Sequence, residues 1–208
     1  MMIKIGFFVL VLINIQVDFF FHQKIENDDW EISKNEDQIS IYLRTVSYSN
    51  YKEFKGEMIV KSSCEDIIAF LQNIESFEKW LPDCKESKRL IKISEYQQIN
   101  YVVTEVPWPY ENRDIVYLFT VADKDPKTGQ LKILIENKPG YIPEKSNIVR
   151  IPKSLGFWTF TPISENQTKV EYQMHVEPGG FVPAWLANLK IVDTPYAFLY
   201  NLRKQIEK

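Results

Sequence analysis

The sequence predicts an α+β fold, a curved antiparallel sheet wrapped around a long C-terminal helix. Three observations predict it. From residue 87 onward, short segments alternate apolar and polar side chains between polar turns, as antiparallel strands do. A helical block lies between residues 63 and 81, flanked by strands. The segment 181–208 sets apolar side chains at 181, 185, 189, 192, 196 and 199, the single stripe of an amphipathic helix. With 208 residues, 45% of them apolar and 14% aromatic, the chain is long enough for one domain with a sizeable core. Strands, helices, more strands and a final helix in that order place helices on one side of one sheet.

The elements follow in order. Residues 1–24 are set apart from the domain, which covers 25–208. Lys4 precedes an apolar run from Ile5 to Val17 that ends at Asp18. The run is shorter than the roughly 20 residues of a membrane span and reads as the core of a signal peptide or an uncleaved anchor. Export, periplasmic or secreted, is therefore expected, with membrane anchoring as the alternative. The polar stretch KIENDDWEISKNEDQ follows, with Trp30 expected to dock on the body. Residues 39–47 alternate as a strand, and 54–60 form a second. Ser62 or Ser63 caps a helix whose first turn holds Glu65 and Asp66, which suits the positive N-terminal end of the helix dipole. A short helical piece, SFEKWL, ends at Pro82. KRLIKIS and QQINYVVTEV form a hairpin, and NRDIVYLFTVAD follows the PWPYE loop. DKDPKTGQ is a turn, because Pro126 and Gly129 supply its geometry. LKILIEN, NIVRIP, LGFWTFTPI and TKVEYQMHVEP complete the strands. Gly179-Gly180 forms a hinge before the last helix, and Pro195 is expected to kink or break that helix.

Composition excludes several classes of function. Net charge is −3, from 25 basic and 28 acidic residues, so no field toward nucleic acid is expected. Two histidines and two cysteines do not supply a zinc site, and neither a metal nor a cofactor is expected. No Gly-rich phosphate loop or Ser–His–acid pattern is present, and His175 is the only histidine outside the leader region. Cys64 and Cys84 either pair or stand as separate small apolar side chains.

Residues 106–121, VPWPYENRDIVYLFTV, resemble the signature stretch of the START family of lipid-transfer domains: a Pro-aromatic-Pro loop, a polar residue, Arg-Asp and an aromatic strand. WEISKNEDQISIYLRTVSYSNYKEFKGE, FEKWLPDCKESKRL and GFWTFTPISENQTKVEYQMHVEPGGFVPAWLAN resemble further parts of the same domain, so the likeness spans about residues 28–208. The resemblance implies a helix-grip fold and an internal cavity. It implies binding, and transfer without chemical change, of a lipid such as a sterol or phospholipid, with transient membrane contact. Related helix-grip proteins include cyclases and hydrolase-like enzymes, so fold alone leaves an enzyme open as the alternative. An envelope interaction module with a vestigial cavity and Trp108 as its docking tip is the third reading.

The candidate ligand-binding residues lie around the expected cavity. Glu105 and Arg113 are candidates for a polar headgroup, with Arg113-Asp114 read alternatively as an architectural pair. Tyr117 and Phe119 lie on the strand after the signature loop. Phe119 stands where sterol-binding members place a cation, which argues against cholesterol. Phe157, Phe160, Tyr172 and Met174 come from the last two strands. Phe181, Trp185, Leu189, Val192 and Tyr196 form the stripe of the closing helix, which must face the sheet. No catalytic residue is expected.

Overall fold

The structure, a computed structural model, describes residues 30–122 and 124–208. The leader assigned to residues 1–24 lies outside the described residues. In chain order the elements are β1 (Glu31–Glu36), β2 (Ile39–Val46), β3 (Ser49–Val60), α1 (Cys64–Gln72), a 3-10 turn (Ile74–Lys79), β4 (Cys84–Lys92) and β5 (Gln97–Thr104). They continue with β6 (Asn112–Val121), β7 (Leu131–Asn137), β8 (Ile148–Arg150), β9 (Lys153–Ser164), β10 (Gln167–Glu177), α2 (Ala184–Lys190) and α3 (Asp193–Ile206). The strands form one sheet in the order β1-β2-β3-β10-β9-β7-β6-β5-β4, antiparallel throughout, and β8 adds to β6 in parallel. The α+β expectation therefore holds, with the sheet curved around α3.

Local chemistry explains the elements. Ser63 caps α1, its Oγ accepting the Asp66 N–H at 3.1 Å. β1 was not foreseen, because most of its residues are exposed and carry no alternation. It pairs with β2 through Asp37 and Gln38, both at positive φ (50° and 58°), the geometry of a tight hairpin turn. Trp30 docks on the outer face, with the Arg44 guanidinium 4.6 Å above its ring.

The C-terminal segment differs from expectation. It forms two helices joined at Ile191-Val192, and Pro195 lies in the first turn of α3. A first-turn residue needs no intrahelical N–H bond, so Pro195 fits the start of a helix rather than kinking its middle. The buried positions of α3 are Pro195, Leu199 and Leu202. Leu199 presses on β3, where a Cβ at Gly56 would fall 2.5 Å from Leu199 Cδ1. Only glycine admits that approach without displacement.

Two apolar layers result. The main core lies between the concave face and the helices, including Ile39, Ile41, Val60, Ile67, Ile74 and Phe160. A smaller one on the convex face joins Ile99, Tyr101, Val103 and Val116 to Ile142 and Ile148 of the segment before and within β8.

Candidate functional site

Alternation along β6 sends Arg113, Tyr117 and Phe119 toward the concave face and Asp114 to the convex one. Asp114 and Arg150 meet there as a buried bidentate pair, Nε to Oδ1 at 2.7 Å and Nη2 to Oδ2 at 3.1 Å. The Tyr101 hydroxyl donates to Asp114 Oδ2 at 3.0 Å. Arg150 also donates to the carbonyls of Pro139, Ile142 and Pro143, so the pair fixes the 138–150 segment over the outer layer. Asp114 is architectural, and its partner is Arg150 rather than its sequence neighbour.

The space in which the sequence places a cavity, between α3 and the strands, holds a cluster of rings. Trp158 stacks on Tyr172 with centroids 3.9 Å apart, and Phe198 of α3 lies 5.3 Å from Trp158 and 5.6 Å from Tyr172. Phe198 also meets Trp80 at 5.2 Å, and the Trp80 ring packs on Phe77. The Tyr172 hydroxyl donates to Met174 Sδ at 2.9 Å. Burial pushes the Tyr172 and Tyr117 phenols well above their ordinary range, the Asn100 amide offsetting part of the effect at Tyr117.

At the β4–β6 end this interior turns polar. Gln98 donates to Asn100 Oδ1 at 3.0 Å and to the Gln72 carbonyl at 2.9 Å. Asn100 stands opposite Tyr117 in the β5–β6 register, and Ser87 opposite Val102 in the β4–β5 register. Asn100 Nδ2 and Ser87 Oγ are buried and make no hydrogen bond of ordinary geometry, the Asn100 amide facing the Tyr117 hydroxyl and Ser87 the Cys84 thiol. Cys84 lies beside Ser87, and burial raises its thiol pKa above the ordinary value. Cys64, at the start of α1, is buried near Thr168; both cysteines are free.

The expected site residues divide accordingly. Tyr117, Phe119, Phe160, Tyr172 and Met174 face the interior, and Val192 packs at its edge. Phe157 does not. It lies on the outer face of β9 with Lys132 Nζ 5.7 Å from its ring, and Trp158 takes the inward position. Period-2 alternation requires this, since 158 and 160 share a face and 157 does not. Glu105 is exposed in the β5–β6 loop. The expectation that the whole closing stripe faces the sheet fails at Phe181, 99% exposed, and at Trp185, 66% exposed. Phe181 precedes α2, and α2 turns Trp185 outward, so one helical phase does not run through 181–199. The side chain of Leu189 lies outside the described residues. Tyr196 sits at the rim, its hydroxyl donating to Asp37 Oδ2 at 2.7 Å. Its phenol pKa is pushed up to about 12 by desolvation and then by the Asp37 carboxylate. Phe198, Trp80, Asn100 and Ser87 are interior residues that the sequence alone did not single out.

The β5–β6 loop and the connection from β10 to α2 meet at one end of the strands. The β5–β6 loop exposes Trp108 (92%), and the connection from β10 to α2 exposes Phe181. Arg113 links the two segments, donating to the Glu111 and Gly179 carbonyls. Tyr51 of β3 donates to the Val182 carbonyl at 3.0 Å, and Asn188 accepts the Lys52 N–H at 3.1 Å, which seats α2 beside the β2–β3 hairpin.

Comparisons with known proteins agree with this architecture. The crystal structure of a STAR-related lipid transfer protein (fragment 25–204) from Xanthomonas axonopodis superposes with a TM-score of 0.79 and 36% identity, covering 86% of this chain and 99% of that one. An uncharacterized protein of Pseudomonas aeruginosa is 35% identical over 183 residues, 87% of this chain and 88% of that protein. The phosphatidylcholine transfer protein of Rattus norvegicus is 23% identical over 179 residues, 85% of this chain and 83% of the relative. The model of the START domain family matches residues 19–198. On the fold, the motifs and this match together, the chain belongs to the START domain family.

Proposed function

We propose that this protein binds one lipid between the concave face and α3 and carries it between membranes without chemical change. The observation that carries the reading is a small buried polar cluster, Asn100 and Ser87 with Tyr117 and Cys84, in an otherwise apolar, aromatic interior, where Asn100 Nδ2 and Ser87 Oγ make no hydrogen bond of ordinary geometry. Buried polar atoms in a folded protein nearly always have well-formed hydrogen bonds, so two that lack one and face one apolar space suit the polar end of an amphiphilic ligand. The apolar remainder of the ligand would replace contacts now made by Phe198, gaining about 25 cal/mol for each Å² removed from water. Membership of a family whose relatives include a phosphatidylcholine transfer protein supports the same ligand class.

Entry requires α3 to move, and the joints are in place: Gly179 and Gly180 at positive φ, and the break at Ile191-Val192. The exposed rings of Trp108, Phe181 and Trp185 supply the membrane contact, since aromatic side chains favour the bilayer interface. A reaction in the interior would need convergent polar groups. Glu105 is exposed and His175 lies on the convex side of β10, so Glu105, Arg113, Tyr117 and His175 share no point. The test is transfer of a fluorescent phospholipid between donor and acceptor vesicles, with native mass spectrometry of the purified protein. Expected are catalysed transfer and a single intact lipid bound per chain. A protein that carries no lipid and moves none contradicts the reading, and a chemically altered lipid contradicts the carrier in favour of an enzyme.

A further inference from the structure

Among the described residues Arg113 makes no ion pair within 4 Å, and Glu111 is the carboxylate whose charge acts on it from further away. Arg113 is 6% exposed, and its acceptors among the described residues are two backbone carbonyls, Glu111 O and Gly179 O, the second at 3.4 Å. Its Nε is buried with no partner at all. A guanidinium presents five N–H donors in a planar fork that matches an oxyanion. Burying it with only neutral carbonyls as direct acceptors is unfavourable, and burial pulls its pKa down although the charge of Glu111 opposes this. Asp114, the adjacent carboxylate, is committed to Arg150 on the other face of the sheet.

The surroundings identify the anion. Glu111 lies three residues from the exposed Trp108, and Gly179 two residues from the exposed Phe181. Each aromatic tip is thus within about 11 Å of chain from an atom bonded to the guanidinium. Rings of this kind settle at the headgroup level of a bilayer, which is where lipid phosphates lie. Gly180 leaves space beside the guanidinium, since a Cβ there would approach Nη2 to 3.3 Å.

Building on the lipid-carrier reading, we propose that Arg113, between the β5–β6 loop and the β10–α2 connection, is an anion site which takes the phosphodiester of a membrane lipid in place of the Gly179 carbonyl. Exchange of one acceptor for the other frees the hinge that precedes α2. Membrane contact and release of the closing helices are thereby coupled through one side chain.

Co-flotation with vesicles tests this. Dioleoyl phosphatidylcholine vesicles are compared with vesicles of digalactosyl diacylglycerol, which offer a similar apolar interior and no phosphate. The protein should bind the phosphate-bearing vesicles about tenfold more tightly, the size of one charge-assisted hydrogen-bond gain. Arg113→Gln should abolish that preference and leave glycolipid binding unchanged. Equal binding of both vesicles by the wild type, or a preference that survives in Arg113→Gln, overturns the anion site and leaves the carrier reading standing. Binding of neither vesicle overturns membrane contact and this inference with it. Should Arg113→Gln fail to fold, the Arg113 Nε–H resonance of the wild type serves instead. It should shift with dihexanoyl phosphatidylcholine below its micellar concentration. No shift overturns the proposal, and an equal shift with inorganic phosphate overturns the lipid as the source of the anion.

Discussion

Replacing Asp114 by Ala is expected to lower the free energy of unfolding by about 3–5 kcal/mol, because it leaves Arg150 buried without its counter-ion. That is a large share of the 5–15 kcal/mol typical of a domain. The side chains of Arg150 and Asp114 are 2% and 1% exposed, so solvent cannot take over the lost bonds. Tyr101 loses its acceptor in the same substitution, and the 138–150 segment keeps only its backbone bonds to β6. Chemical denaturation measures the effect. A loss below about 1 kcal/mol, the range of an exposed pair, would show that the network does not hold the outer layer. Replacing both partners by apolar residues of similar volume should recover much of the stability, since the cost lies in the unpaired charge.

The triple substitution Trp108→Ser, Phe181→Ser, Trp185→Ser should leave the fold intact and cripple membrane binding. The three rings are mostly in solvent, so truncating them removes little packing. Complete burial of a large apolar side chain is worth about 1.5–3 kcal/mol, and partial insertion of three should total roughly 3 kcal/mol or more. Vesicle affinity should therefore fall by about 100-fold or more. Flotation measures it, with thermal unfolding as the control. Unchanged affinity with an unchanged melting temperature would place the membrane contact elsewhere.

Much of the fold is legible in the sequence because its signals are local. Ser63 with Glu65 and Asp66 announces α1, and Gly129 marks the turn before β7, where its φ is +70°. The remainder depends on information that no short window holds. Asp114 and Arg150 are 36 residues apart, and only the sheet order brings β8 beside β6. β1 has no buried face and so no periodicity. The site was legible in part: Tyr117, Phe119, Phe160, Tyr172 and Met174 lie on strands whose alternation orients them inward. Strict use of that alternation would have replaced Phe157 by Trp158. The closing helix was harder to read, because the break at Ile191-Val192 resets its phase. The stripe through 181 and 185 therefore points to solvent, while Phe198 turns inward. Asn100 carried a signal that could have been used, a polar side chain amid the apolar run of β5 and opposite Tyr117.

The central claim is that the lipid lies inside the sheet and under α3, and a photoactivatable lipid tests it directly. A phospholipid with a diazirine in its acyl chain is loaded, irradiated and located by peptide mass spectrometry. Labelling should concentrate on β9, β10 and α3, at Trp158, Tyr172 and Phe198, the rings that now occupy the interior. Two open grooves on the outside provide the contrast, one of about 460 Å³ beside Ile59, Tyr200 and Arg203 and one of about 360 Å³ beside Ile68, Tyr96 and Leu131. Labelling confined to those grooves, with the interior rings untouched, would contradict the account.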